Sequence, residues 1–273
     1  MVSSTSCTYD DVLLLEKLRK NNKEGFKRIF ESYYPRLSFF VSRALRQDAA
    51  SNRITLDCFV KLADIRSKLA SLQDAAVFLY SCASTACMEF RSQNIFFDSC
   101  RTLMGYNLRE KKRDLSLDIL FAETSFAIYL CLCKDSRLYA GALDTNRAML
   151  NRLTASDPDV NIELETAPVV NMNSAPGIAM PEIMRISVFL KDLILSEVYD
   201  KKDSRLSPER LQALNAWLAQ DIERRILLDE LKDPVNRSNA VLFFSAINTG
   251  EGFEAIKRRI SFASAFWLSI KRK

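Results

Sequence analysis

Apolar residues recur along most of this chain at spacings of three and four, the period of one helix face. Val12, Leu15 and Leu18 begin the pattern, with Asp10 or Asp11 placed to cap their helix, and Asn22 caps a second helix carrying Phe26, Ile29, Phe30 and Tyr33. Pro35 has no N–H to donate and is expected to restart the chain. Beyond it, Leu37, Phe40/Val41 and Ala44/Leu45 give a helix over 36–46, and Ile54, Cys58/Phe59, Leu62 and Ile65 give another over 52–66. Ser71 opens a further helix with Ala75, Phe78/Leu79, Cys82, Ala86 and Phe90 on its apolar side. These elements predict a first helical bundle over residues 8–94.

Residues 95–155 read as a helical connector, with a basic run at Arg109 to Arg113 and apolar helices around Leu117 to Leu132 and Leu138 to Leu153. The next stretch, 156–181, contains no Lys or Arg and is interrupted by Pro158, Pro168, Pro176 and Pro181, so it is expected to be a linker. As a coil its ends would lie roughly 25–30 Å apart. Helical period returns with Ile186, Phe189, Leu190, Leu193 and Ile194. Ser207 then sits where an N-cap hydroxyl accepts a free backbone N–H, Pro208 takes the first helical position, and Glu209 complements the positive end of the dipole. Leu206 and Leu211 form an expected hydrophobic staple, and Leu211, Leu214, Trp217 and Leu218, with Leu228, are the expected anchors of a second bundle over 182–273. The fold class is therefore all-α: two helical bundles joined by a helical connector and a Pro-containing linker.

Composition agrees with this and narrows the chemistry. The chain has 273 residues, 48% of them hydrophobic, which suffices for two cores, and only six glycines. Its net charge of +5 is uneven: residues 1–113 are net +7 and the remainder net −2. A basic half beside a slightly acidic one suits self-association, an acidic partner or nucleic acid. There is no histidine, no glycine-rich phosphate loop and no other catalytic constellation, so no enzyme activity is expected. Seven cysteines without regular spacing fit a reducing, cytoplasmic setting. Cys131 and Cys133 have no second ligand pair at metal spacing, so neither metal nor cofactor is expected. No signal peptide is read at the N-terminus, and the apolar stretch Phe262 to Ile270 is too short for a membrane span, which takes ~20 residues.

The first bundle also carries a family pattern. Leu13-Leu14, then Gly25-Phe26-x-x-Ile29-Phe30-x-x-Tyr33-Tyr34-Pro35-x-Leu37-x-x-Phe40, resembles the opening of region two in ECF-type sigma factors. Cys58-Phe59-Val60-Lys61-Leu62 is similar to that region's second helix. Phe78-Leu79-Tyr80-Ser81-Cys82-Ala83-x-x-Ala86-Cys87-Met88-Glu89-Phe90-Arg91 resembles the helix that reads the promoter −10 element. The resemblance implies a polymerase-facing surface at Asn52, Arg53, Asp57, Phe59 and Lys61, and a DNA-reading helix with Tyr80, Ser84, Thr85, Glu89 and Arg91. Two departures stand out. The family's alanine-glutamate-aspartate step is here Ser51-Asn52-Arg53, which reverses the charge facing polymerase, and its reading asparagine and aspartate fall at Thr85 and Glu89. Weak or absent DNA binding is the expectation. Residues 95–155 have the length of a second sigma region but no helix-turn-helix signature, leaving a decayed remnant and an unrelated connector as alternatives.

Residues 183–248 resemble the N-terminal anti-sigma domain of FecR-type regulators, on the Leu206-Ser207-Pro208-Glu209 turn, the Ala216-Trp217-Leu218 helix and the stretch Arg225 to Pro234, a short helix ending in a leucine-x-aspartate step. Together the two resemblances imply transcription regulation by protein–protein interaction: a degenerate sigma-like domain fused to an anti-sigma-like domain that masks it in cis. The alternative is a pseudo-sigma or anti-sigma decoy acting in trans on separate sigma or anti-sigma proteins without DNA binding. The implied partners are a sigma or anti-sigma protein and, for the sigma-like part, the RNA polymerase core.

Overall fold

Asn21 adopts φ 57°, and this left-handed residue turns the first helix into the second. It sits at the end of α1 (Tyr9–Arg19), where Asn22 N–H donates to Lys17 O at 3.0 Å and Asn21 N–H to Leu18 O at 3.2 Å. The Asn22 side chain caps α2 (Lys23–Leu45), its Oδ1 accepting from the N–H groups of Glu24 at 2.8 Å and Gly25 at 3.1 Å. Gly25 is required here, since a Cβ would stand 2.7 Å from Lys17 Cβ. The structure, a computed structural model, describes residues 9–45, 48–102, 115–135, 180–199 and 206–270. Within these residues it is all-α, with ten α-helices, a single 3₁₀ turn and no strand.

Pro35 lies inside α2 and does not restart the chain. A proline costs a helix one hydrogen bond and a clash with the carbonyl four residues back. The offsetting contributions are visible in the same turn. Phe30, Tyr33, Tyr34, Leu37, Phe40 and Val41 are all buried along α2, and the Arg36 side chain turns back to donate to Ser32 O at 2.8 Å and Ser32 Oγ at 2.9 Å. Burial of one large apolar side chain contributes about 1.5–3 kcal/mol, so six of them on one continuous face outweigh the proline.

The chain divides into two compact units. The first comprises residues 1–108 together with 247–273. Here α2 packs on α3 (Asp48–Ile65) and α4 (Leu72–Thr102), α1 closes one side, and the 3₁₀ turn Arg66–Lys68 links α3 to α4. A reciprocal cap starts α4: Ser71 Oγ accepts from Asp74 N–H at 3.1 Å, and Asp74 Oδ2 accepts from the N–H groups of Ala70 and Ser71 at 2.9 and 2.8 Å. α4 continues to Thr102, into residues expected to begin the connector. The last helix, α10 (Thr249–Ile270), also belongs to this unit and packs on α2 and α3.

The second unit, residues 109–246, gathers α5 (Leu115–Asp135), α6 (Met180–Tyr199), α7 (Pro208–Ala219), α8 (Ile222–Lys232) and α9 (Pro234–Ala246). The pairing of α5 with α6 is its most extensive contact. Phe244 of α9 meets Phe126 and Tyr129 of α5 at centroid distances of 5.2 and 5.3 Å. Helix α5 is long and apolar enough to cross a membrane over Leu115–Cys133, with mean hydropathy 1.6, and 83% of that stretch is buried in the structure. The sequence pattern places an apolar helix here, around Leu117 to Leu132, but weighs only 262–270 as a membrane span. The domain division expected from sequence thus differs in two places: α5 of the connector joins α6–α9, and α10 of the last segment joins the first bundle. Burial accompanies both, because α5 is buried over most of its length and α10 presents Phe253 and Ile256 to α2 and α3. The basic run at 109–113, the helix expected around 138–153 and the linker up to residue 179 lie outside the described residues.

Candidate interaction surface

Helix α3 is built with two faces. Cys58, Phe59 and Leu62 are buried, at 1%, 0% and 0% exposure, while Asn52, Arg53 and Lys61 are exposed and Asp57 is half-buried. Residues 53, 57 and 61 stand four apart and so share one side of the helix. Of the five residues expected to face polymerase, three, Arg53, Asp57 and Lys61, therefore line a common strip, while Asn52 is exposed on a different side of the helix. Phe59 is the correction: it lies in the core, because Cys58-Phe59 and Leu62 form the inward apolar row of this helix.

Phe59 belongs to an aromatic cluster that reaches this strip. Phe30 stacks on Tyr34 at 4.5 Å between centroids with planes 17° apart, and lies 4.7 Å from Phe59. The Tyr34 hydroxyl donates to Asn52 Oδ1 at 3.0 Å, tying the cluster to the first turns of α3. Burial of the Tyr34 ring raises its pKa, with the Glu251 carboxylate nearby adding to the effect and a hydrogen bond with Ser38 opposing it.

The same cluster is where α10 seats. Asn248 caps this helix, its Oδ1 accepting from Glu251 N–H at 3.1 Å. One face of α10 then presents Gly252, Phe253, Ile256 and Arg259. Phe253 sits 5.6 Å from Phe30, Ile256 is fully buried, and Arg259 forms an ion pair with Asp57 in the middle of the α3 strip. Gly252 lies flat on Tyr34: a Cβ there would meet ring carbons Cε1 and Cζ at 2.9 Å and Phe30 Cζ at 3.1 Å. Sequence reasoning missed this face, although the spacing 252/253, 256, 259 is helical and was available to be read.

Helix α4 distributes the expected DNA-reading residues over two sides. Tyr80 is 1% exposed and meets the Phe40 ring edge-on at 5.5 Å; Ser84 is buried beside it. These two face the core, one turn apart, together with Ala83 and Cys87. Thr85 and Glu89 are exposed, also one turn apart, with the Thr85 hydroxyl donating to Ser81 O at 3.0 Å, and Arg91 is half-buried. The outward side of α4 thus offers Thr85, Glu89 and Arg91, without the two aromatic and hydroxyl groups assigned to it.

In the second unit Ser207 caps α7, accepting from Arg210 N–H at 3.4 Å, with Pro208 at the helix start. Leu214, Trp217 and Leu218 are buried, together with Leu227 and Leu231 of α8, while Leu228 is half-buried. Leu211 is 40% exposed, so the apolar face begins one turn later than expected. The guanidinium of Arg224 lies 4.7 Å above the Trp217 ring and its Nη1 donates to Trp217 O at 3.0 Å; Arg225 Nε donates to Leu218 O at 3.2 Å. Two arginines of α8 thereby satisfy carbonyls at the C-terminal end of α7, where the dipole favours cations.

Among the described residues no group of three or more His, Cys, Asp or Glu side chains is placed to hold a metal ion. Cys131 and Cys133 are both half-buried on α5. No family model, curated protein or solved structure matches this chain.

Proposed function

We propose that the chain regulates transcription through protein–protein contacts, its first bundle acting as a degenerate sigma-like interaction domain whose α3 strip is covered in cis by α10. The observation that supports this reading is the seat of α10, where Arg259 takes Asp57 and Gly252-Phe253 cover the Tyr34 ring that holds Asn52. A partner approaching Asp57 meets Arg259 of α10, while Asn52, Arg53 and Lys61 stay exposed beside it. Covalent attachment gives α10 the advantage, since a tethered segment acts at an effective concentration in the millimolar range for a short flexible connection. The FecR-type resemblance covers residues 183–248, and in this reading the masking element is the helix that follows them, α10. Contact with promoter DNA is weak and electrostatic in this reading, since Thr85 and Glu89 replace the family's reading pair. A cytoplasmic location and the absence of catalysis accompany it.

The decoy reading in trans is favoured by one observation, the exposed Asn52-Arg53 pair at the place of the family's acidic pair. Retention on immobilised bacterial RNA polymerase core distinguishes the two. In the masked reading, Phe253→Ala/Arg259→Glu raises retention at least about tenfold over the wild-type chain, as expected when an intramolecular competitor is removed. Equal and negligible retention of both proteins, with capture of a separate sigma or anti-sigma protein, establishes the decoy.

A further inference from the structure

Four large apolar side chains of the second unit stand in solvent: Ile222 and Ile226 of α8 at 62% and 50% exposure, and Val235 and Leu242 of α9 at 63% and 67%. No other large apolar side chain among the described residues exceeds 45%. Each pair lies opposite the core row of its helix, since α8 buries Leu227 and Leu231 and α9 buries Ala240 and Phe244. A single exposed leucine is ordinary, but four such side chains on consecutive helices mark a contact site. The turn between the helices is fixed by its own hydrogen bonds. Asp233 Oδ1 accepts from Val235 N–H at 2.9 Å, and Asn236 Nδ2 donates to Glu230 O at 3.1 Å.

Charge determines what fits there. Asp229 is exposed and continues the row of Ile222 and Ile226 at helical spacing, and Asp221 and Asp233 stand at the two ends of α8. With Glu223 and Glu230, this helix and its caps carry five carboxylates against three cations. Each cation is engaged inside the unit: Arg224 lies 4.7 Å above the Trp217 ring, Arg225 Nε donates to Leu218 O at 3.2 Å, and Lys232 Nζ pairs with Glu197 at 2.8 Å. A second copy of this face would bring carboxylates against carboxylates, and an anionic lipid surface would meet the same repulsion. We propose that the outward faces of α8 and α9 dock a basic amphipathic helix of a separate protein. Its apolar stripe covers Ile222, Ile226, Val235 and Leu242, and its lysines or arginines reach Asp229 and the acidic ends of α8. Burial of the apolar stripe supplies the affinity, while the carboxylates set orientation and association rate. The α3 strip and α10 take no part, so the site stands whether or not the first bundle is sigma-like.

The test titrates the full-length chain, at physiological salt, into a fluorescein-labelled peptide and reads anisotropy. The probe is a peptide of about 14 residues, long enough to span α8, with leucine at helical spacing and lysine elsewhere. Its control carries glutamate in place of every lysine. With a net charge of +5, the chain as a whole offers a cationic peptide no general attraction. The lysine peptide is expected to bind, and the glutamate peptide to bind at least about tenfold more weakly. Ile222→Ser/Ile226→Ser should weaken the lysine peptide at least about tenfold with an unchanged thermal midpoint, because both side chains are exposed. Asp229→Lys should slow its association and flatten the salt dependence, and this exposed charge decides the matter even if the serine variant folds poorly. Binding of neither peptide, equal binding of both, or lysine-peptide binding that no substitution alters overturns the proposal. So does a wild-type dimer that the serine variant makes monomeric, or binding to phosphatidylglycerol vesicles that the same variant loses, where the lysine peptide fails to bind.

Discussion

Arg259 of α10 forms an ion pair with Asp57 of α3 across 202 positions of sequence. The two side chains are 43% and 35% exposed, so solvent screens much of their attraction. The pair is expected to fix the register of α10 on α3 more than to hold it there. A double-mutant cycle of Asp57→Ala and Arg259→Ala, read by urea unfolding, should give a coupling below about 1 kcal/mol that shrinks further in high salt. A coupling of several kcal/mol that salt leaves unchanged would place the pair in a dry interior.

Gly252 makes the sharper test of that seat. Replacing a helical glycine by alanine ordinarily favours the helix by up to about 1 kcal/mol, but here the new Cβ would lie 2.9 Å from two Tyr34 ring carbons. Overpacking of this kind costs about 1–3 kcal/mol, and it wins because Tyr34 is held by stacking on Phe30 and by its hydrogen bond to Asn52. Gly252→Ala should lower the thermal midpoint and expose α10 to proteolysis. Gly250→Ala, on the same helix but near only Asn248 Oδ1 at 3.3 Å, should be close to neutral.

Trp217 is 4% exposed, yet its indole Nε1 has no hydrogen-bond partner among the described residues. Trp217→Ala should destabilise by about 3–5 kcal/mol, losing both the buried ring and the surface on which Arg224 stacks. Trp217→Phe removes the unpartnered donor as well as some volume, and so should cost at least about 2 kcal/mol less. Equal losses in denaturant unfolding would indicate that the indole N–H is satisfied.

The start of α7 has a pH signature. Glu209 is held below the usual carboxylate range by its own backbone N–H and then by the Ser207 hydroxyl. A carboxyl depressed on folding contributes stability above its unfolded pKa and loses it as pH falls through the folded value, so this contribution fades as pH drops below the ordinary carboxylate range. Titration of the Glu209 carboxyl by NMR should show a low midpoint that rises in Ser207→Ala. An unchanged midpoint would remove the Ser207 hydroxyl as a partner of the Glu209 carboxylate.

The sequence by itself determined where helices begin and what they hide. Asn22, Ser71 and Ser207 each precede an apolar row and each caps a helix with its side-chain oxygen, because capping is a local exchange between a side chain and backbone groups two or three residues away. Core residues such as Leu62, Leu214 and Trp217 were legible for the same reason, since period alone puts them on an apolar face. Local rules also set the failures. Pro35 reads as a break only until the burial of both flanking turns is counted, and Leu211 reads as core until the end of its apolar face is seen.

Tertiary structure alone decided which faces meet. Nothing in the spacing of 252, 253, 256 and 259 names α2 and α3 as the surface they cover, because apolar burial is non-directional and any complementary face would serve. Only the packed chain shows Gly252 flat on Tyr34, Arg259 at Asp57 and α5 joined to α6 rather than to the first bundle.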